Sequence, residues 1–289
     1  MLRDLVRHRK AVVSDQAAER NRTLQLLESA NIKLASVMSD VFGVSGMLML
    51  RALADGRAAP AEMAGLAKRR LRSKIDRLAL ALDGRLAEHQ RRLLGLHIRR
   101  LMEIDRDLAE LETAISAAVQ PFATQQVRLT TIPGVNALTA ASIIAETGVE
   151  MSVFGTAQRL AAWAGVCPAN HQSAGKQKRR GTRKGDTFLK AVLVTAAVSA
   201  SQTKGSYLRD KFFRLKARMG TKKAAMAVAH KILIAAFHML QRGVNFADLG
   251  GGYLDGLNKY RTAKSLVRRL DALGYDVMLR PKAAQAPSG

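Results

Sequence analysis

The chain has 289 residues and a formal net charge of +24, from 47 Lys plus Arg against 23 Asp plus Glu. Charge of that size and sign points to a polyanionic partner, nucleic acid first, because each neutralised phosphate releases condensed counterions. A single cysteine, Cys167, excludes an internal disulfide and a cysteine zinc cluster, and an aromatic content of 4% disfavours a protein that stacks successive bases of a single strand on aromatic platforms.

Residues 2 to about 30 contain no Gly or Pro and place Leu2, Leu5, Val6, Val13, Leu24 and Leu27 at helical spacings, which predicts a first helix ending near Asn31. Its charged start, Met1 to Lys10, lacks the apolar core of a signal peptide. Val41 to Gly46 punctuates the chain, a short helix is expected over Met47 to Leu53, and Asp55-Gly56 reads as a turn. From Pro60 to about Val119, spacings of three and four through Leu71, Ile75, Leu78, Leu82, Leu86, Leu93, Leu101, Ile104, Leu108 and Ile115 predict a long helical region. This is a coiled coil or an antiparallel helix pair, with Gly84 and Gly95 as possible breaks. Its partner is either the first helix or a second subunit, so self-association through 60–119 is expected. Pro121-Phe122 closes the region, and the text divides into 1–59, 60–120, a distinct domain over 121–280, and a tail, 281–289, expected to be disordered. The most apolar stretch, Ala224 to Leu240, is interrupted by His230, Lys231 and His238, so no membrane span is expected and a reducing cytoplasm is the expected compartment. The predicted fold class is mainly α, with a long helical region followed by a helical domain.

Four motifs carry candidate chemistry. Ile132, Pro133, Gly134 and Val135, followed by a helical run to Gly148, form the pattern of a helix-hairpin-helix. The tight turn would present backbone N–H groups at the next helix start to a phosphate, or serve as a structural corner alone. Leu160 to Pro168 reads as a helix ending at Gly165, with Trp163 expected in the core and Cys167 as a buried small hydrophobe. Asn170 to Lys176 places Ser173 among small residues and leads into a run in which Lys176, Lys178, Arg179, Arg180, Arg183 and Lys184 are basic and none is acidic. Cations beside a serine could hold a phosphate and stabilise charge in phosphoryl transfer; equally, they could form a basic loop that touches backbone alone. Residues 204–231 then hold nine Lys or Arg and one acid, with Lys222 and Lys223 beside a turn at Gly220. His230 and His238 lie eight apart with no third ligand nearby, which argues against a metal pair.

On these residues the chain resembles the transposases of the IS110 family of insertion sequences, which includes IS116 and IS902 types. The matching text is Ile132 to Val135, Leu160 to Pro168, Gln172 to Lys176, Arg183 to Gly185, Lys222 to Ala224 with Ala229-His230, and Tyr253 followed by Leu273 to Tyr275. The segment Arg9 to Gly46 is similar to the family's helical middle. The resemblance implies DNA recombination, a structured guide RNA bridging donor and target DNA, and Ser173 as the nucleophile of a covalent protein–DNA intermediate. It also implies an N-terminal RuvC-like domain whose acids hold Mg²⁺. The chain begins within the family's helical middle, so that domain is expected to be missing, through truncation or a late-assigned start. No cofactor is then expected on this chain itself. The alternative is a non-catalytic nucleic-acid-binding remnant that pairs with intact copies and interferes with them.

Overall fold

The computed structural model describes residues 1–280 apart from 57, 169–171, 174, 175 and 178–180, and of residues 172, 173, 176 and 177 it describes the backbone. The chain forms two units, Met1–Pro121 and Phe122–Gly289.

The first unit is built on two long helices. α1 (Leu2–Ser29) is followed by α2 (Leu34–Val37), α3 (Val44–Asp55), α4 (Pro60–Gly65), α5 (Ile75–Leu82) and α6 (Glu88–Val119). α6 runs antiparallel to α1, and their side-chain bonds step along the seam in opposite directions. Arg9 pairs with Glu112 (2.5 Å), Gln16 donates to Asp105 (2.6 Å), Glu19 meets His97 (2.6 Å) and Gln90 donates to Ser29 (3.2 Å). Glu19 is buried in that seam. Burial pushes its carboxyl towards the neutral form, but the hydrogen bonds from His97 and Arg22 and the neighbouring positive charge outweigh this and hold its pKa below the ordinary carboxylate value. The buried apolar residues of α6 are Leu94, Ile98, Leu101, Ile115 and Val119, on a helix that packs against α1 and α3 of the same chain, whereas Leu93 of the predicted stripe is exposed. The region before α6 is less regular than its periodicity predicts. Between Pro60 and Ala87 the chain makes α4, a 3-10 stretch Arg69–Lys74 and α5, then breaks at Gly84. A Cβ at Gly84 would stand 2.5 Å from the Ala30 carbonyl oxygen, so the chain crosses there in contact with the end of α1. Leu27, Ile32, Leu34, Met49, Leu50, Leu78, Leu82 and Leu94 form the core at this end.

The second unit follows with α7 (Ala123–Thr130), α8 (Ala137–Thr147), α9 (Ala157–Trp163), a short β-hairpin of β1 (Gln172–Ser173) and β2 (Lys176–Gln177), α10 (Thr187–Ala200), α11 (Tyr207–Met219), α12 (Thr221–Arg242), α13 (Tyr253–Gly256) and α14 (Lys259–Asp271). α12 is the axis of its core: Ala224, Val228, Ala229, Ile232, Leu233, Ala236 and Phe237 are buried against α9, α10 and α11. By length and composition α12 would also cross a membrane, but half of it is buried inside the protein, as expected of a core helix. The mainly α class predicted from the pattern is what the structure shows, and the two-residue strands are the only sheet among the described residues.

Candidate nucleic-acid interface

The turn between α7 and α8 is shaped by Gly134, whose φ of +84° is open to glycine at little cost. A Cβ there would lie 2.3 Å from the carbonyl oxygen of Ala196 and 2.4 Å from the nitrogen of Ala200, so the turn is seated directly on the backbone of α10. Ile132 and Val135 are buried. Asn136 caps α8 through the Thr139 N–H (2.8 Å), and the Val135 N–H donates to the Ile132 carbonyl (3.0 Å). Any contact of residues 132–135 with a phosphate therefore falls to Pro133 and to backbone groups, since the apolar side chains are committed to the core.

The serine-bearing segment is a loop closed at its neck. Gly165, at φ +68°, and Gly185 lie back to back: a Cβ on Gly185 would stand 2.4 Å from the Gly165 nitrogen and 2.5 Å from the Trp163 carbonyl oxygen. Above the neck the Arg183 N–H donates to the Cys167 carbonyl (3.2 Å), Pro168 bridges Thr182, and Lys190 of α10 donates to Thr182 Oγ1 (3.3 Å) and the Arg183 carbonyl (3.1 Å). Below it Asp186 caps α10 through the Leu189 N–H (2.8 Å). Further out, the antiparallel register sets Ser173 opposite Lys176 and Gln172 opposite Gln177. Lys178, Arg179 and Arg180 lie outside the described residues, as do the side chains of Ser173 and Lys176. Arg183 and Lys184 are exposed beside the neck. Trp163, expected in the core, is instead 42% exposed and lies against Phe154 (ring centroids 5.5 Å apart), while Cys167 is half-buried.

The base of this hairpin opens onto a cleft of about 570 Å³ between the hairpin base, α11 and α12. Pro168 and Thr182 form one wall, Leu215, Met219, Met226 and Ala227 the floor, and Lys211, Arg218, Lys222, Lys223 and Lys231 the rim; none of the described lining residues is acidic. Asp210, the one acid between residues 204 and 231, is held by Arg214 (3.0 Å), which also reaches Asp255 (2.6 Å). The hydrogen bonds to Asp255 and Asp210 raise the pKa of Arg214 further. His230 stands half-buried in the cleft wall, its pKa pushed down by burial and then by Lys231 and Lys211. Lys222 and Lys223 occupy the first turn of α12, whose N-cap Gly220 supplies no side-chain hydrogen bond.

The structure thus groups Lys222 and Lys223 with Pro168 and Thr182 at the root of the serine hairpin. The sequence marks Arg218 with Lys222 and Lys223 near the Gly220 turn, but not Lys211, His230 or Lys231 as binding residues. A readable signal was nevertheless there: Lys211, Leu215, Arg218 and Met219 on α11, and Lys223, Met226, Ala227, His230 and Lys231 on α12, repeat at three, four and seven or eight. The resemblance implies Mg²⁺ held by acids, yet among the described residues no three of His, Cys, Asp or Glu gather closely enough to hold a metal ion. The donor set of these residues does not fit that centre.

Comparison with known proteins falls on the same region. Residues 126–212, from α7 into α11, match the family described as Transposase IS116/IS110/IS902. Over 188 residues the chain is 27% identical to a Sinorhizobium fredii protein described as a transposase, covering 63% of this chain and 47% of that protein. It is 32% identical over 98 residues to a Pseudomonas aeruginosa protein described as a family 20 transposase, covering 34% of this chain and 28% of that one. It is 28% identical over 150 residues to the transposase for insertion sequence element IS1111A of Coxiella burnetii, covering 50% and 41%. The aligned stretches span less than half the length of each relative. In residues 126–212 the chain is thus similar to the transposase domain of the IS116/IS110/IS902 family.

Proposed function

We propose that the second unit is the DNA-handling half of a transposition reaction, gripping nucleic-acid backbone with its cationic cleft rim and neck and presenting Ser173 as the nucleophile. The observation that carries this reading is the convergence of five rim cations, with no acid among the described lining residues, at the root of the hairpin that bears Ser173. Two lysines in the first turn of an uncapped helix oppose the helix dipole. An anion seated there reverses the sign of that interaction, and backbone N–H groups add donors to it. Such a grip ignores base identity and serves DNA and a structured guide RNA alike. In the chemical step the Ser173 oxygen would bond to phosphorus as the bond to one sugar oxygen breaks; the serine gives up its proton and the departing oxygen takes one up. In this reading acids able to hold Mg²⁺, as the resemblance implies, would complete the site from outside the described residues. Self-association through 60–119 would use the face of α6 left open by α1, where Leu93 and Leu96 are exposed. The cytoplasm is the compartment in which both nucleic acids are met.

The test is covalent trapping. A tagged form of this chain, mixed with an intact family transposase, its element DNA and its RNA, forms a protein–DNA adduct of the tagged chain on a denaturing gel. Ser173→Ala removes that adduct while DNA affinity stays within about twofold, because a hydroxyl adds little to a backbone grip dominated by cations. An adduct that persists in Ser173→Ala, or no adduct with the parent chain, overturns the assignment of the nucleophile.

A further inference from the structure

The cleft floor is apolar where a phosphate grip alone would need no floor at all. Leu215, Met219, Met226 and Ala227 remain partly open to solvent, although the opposite face of α12 is packed to completion. A cleft of about 570 Å³ lies within the size range of sites that enclose small organic ligands, roughly 300–1,000 Å³. A ligand that matches both features has a flat, weakly polar body for the floor and a negative charge for the rim. We infer that the cleft between α11, α12 and the hairpin base receives one unpaired nucleotide, its base on Met219 and Met226 and its phosphate on Arg218 and Lys222. This rests on the nucleic-acid reading above and narrows it from backbone contact to an unstacked base.

The chemistry of the lining limits the number of bases to one. No aromatic side chain lines the cleft among the described residues, so there is no platform on which successive bases could stack. Thioethers and aliphatic groups instead form a slot whose soft methionines adapt to either a purine or a pyrimidine. His230 in the wall favours its neutral form, in which one ring nitrogen donates and the other accepts, as suits the mixed edge of a base. Taking a nucleotide from a duplex costs a few kcal/mol of stacking and pairing, and the cost is smallest where the base is already unpaired. A preference for a bulge over a perfect duplex follows.

The experiment uses the full chain and two matched probes, a perfect duplex and the same duplex with one bulged 2-aminopurine, each made as DNA and as RNA. The bulged probe should bind more tightly by about tenfold, with a change in 2-aminopurine emission on binding. Whichever of the DNA or RNA pairs shows the larger preference identifies the source of the nucleotide. Ala227→Phe fills the floor without removing a cation; with the fold intact by circular dichroism, it should abolish the preference and the emission change. Met226→Ala, which hollows the floor instead, should reduce the preference with the fold intact by circular dichroism. Equal affinity of the parent chain for bulged and perfect duplexes overturns the nucleotide site and leaves the backbone reading standing. A preference that survives both variants also overturns it. Failure to bind any of the probes overturns both readings.

Discussion

A single added methyl group tests the neck of the serine loop. On Gly185 it would meet the Gly165 nitrogen at 2.4 Å and the Trp163 carbonyl oxygen at 2.5 Å, and backbone cannot yield as a flexible side chain does. Gly185→Ala should therefore force the two sides of the neck apart, costing about 1–3 kcal/mol of stability in denaturant unfolding and speeding protease cleavage at Arg183 and Lys184. Unchanged stability and cleavage would show that the neck is not held by this contact. The sequence marks Gly165 as a helix stop, and the structure adds that Gly185 is its partner twenty residues later. Gly134 is similar: the Pro-Gly pair announces a tight turn, but its seat on Ala196 and Ala200 depends on a helix some sixty residues further along. Trp163 misleads for a complementary reason. Its size argues for burial, yet it ends α9 at the surface, where its carbonyl accepts from the Asp186 N–H (3.3 Å) and its ring rests on Phe154. A residue's type is local information, whereas the surface that covers it is not.

Among the elements, α1 and α6 are the most legible, because spacings of three and four over many turns leave few alternatives to helix. That α6 folds back on α1 could not be read from apolar positions alone; polar pairs such as Arg9 with Glu112 and Glu19 with His97 line that seam. The same periodicity reads residues 60–119 as one long helical region with Gly84 and Gly95 as possible breaks; the structure divides residues 60–82 into α4, a 3-10 stretch and α5, and the chain does leave the helix before Gly84, which passes against the end of α1. Gly95 is the contrasting case. It sits inside α6, and a Cβ there meets nothing within 4 Å. Gly95→Ala should raise stability by about 0.5–1 kcal/mol, read as a higher denaturation midpoint with unchanged m-value. A loss of stability at that position would mean that α6 is not continuous through it.

At the scale of the whole molecule, the excess of positive charge is plain from composition, but its placement is not. The basic run 176–184 drew attention because its cations are adjacent in sequence. Those of the cleft are spread over Lys211 and Arg218 on α11 and Lys222, Lys223 and Lys231 on α12, and they line one cleft only when the two helices pack through the joint at Gly220. The central claim is that this face, with the neck beside it, carries the grip on nucleic acid. The most direct measurement is the salt dependence of duplex DNA affinity for the parent chain and for a variant with Arg183, Lys184, Lys222 and Lys223 all changed to Ala. Each phosphate contact contributes about −0.9 to the slope of log K against log salt, so the variant's slope should be shallower by about 3.6 units if each of the four cations meets one phosphate, with its helical content unchanged. A slope identical to that of the parent chain would place the DNA on another surface and contradict the account.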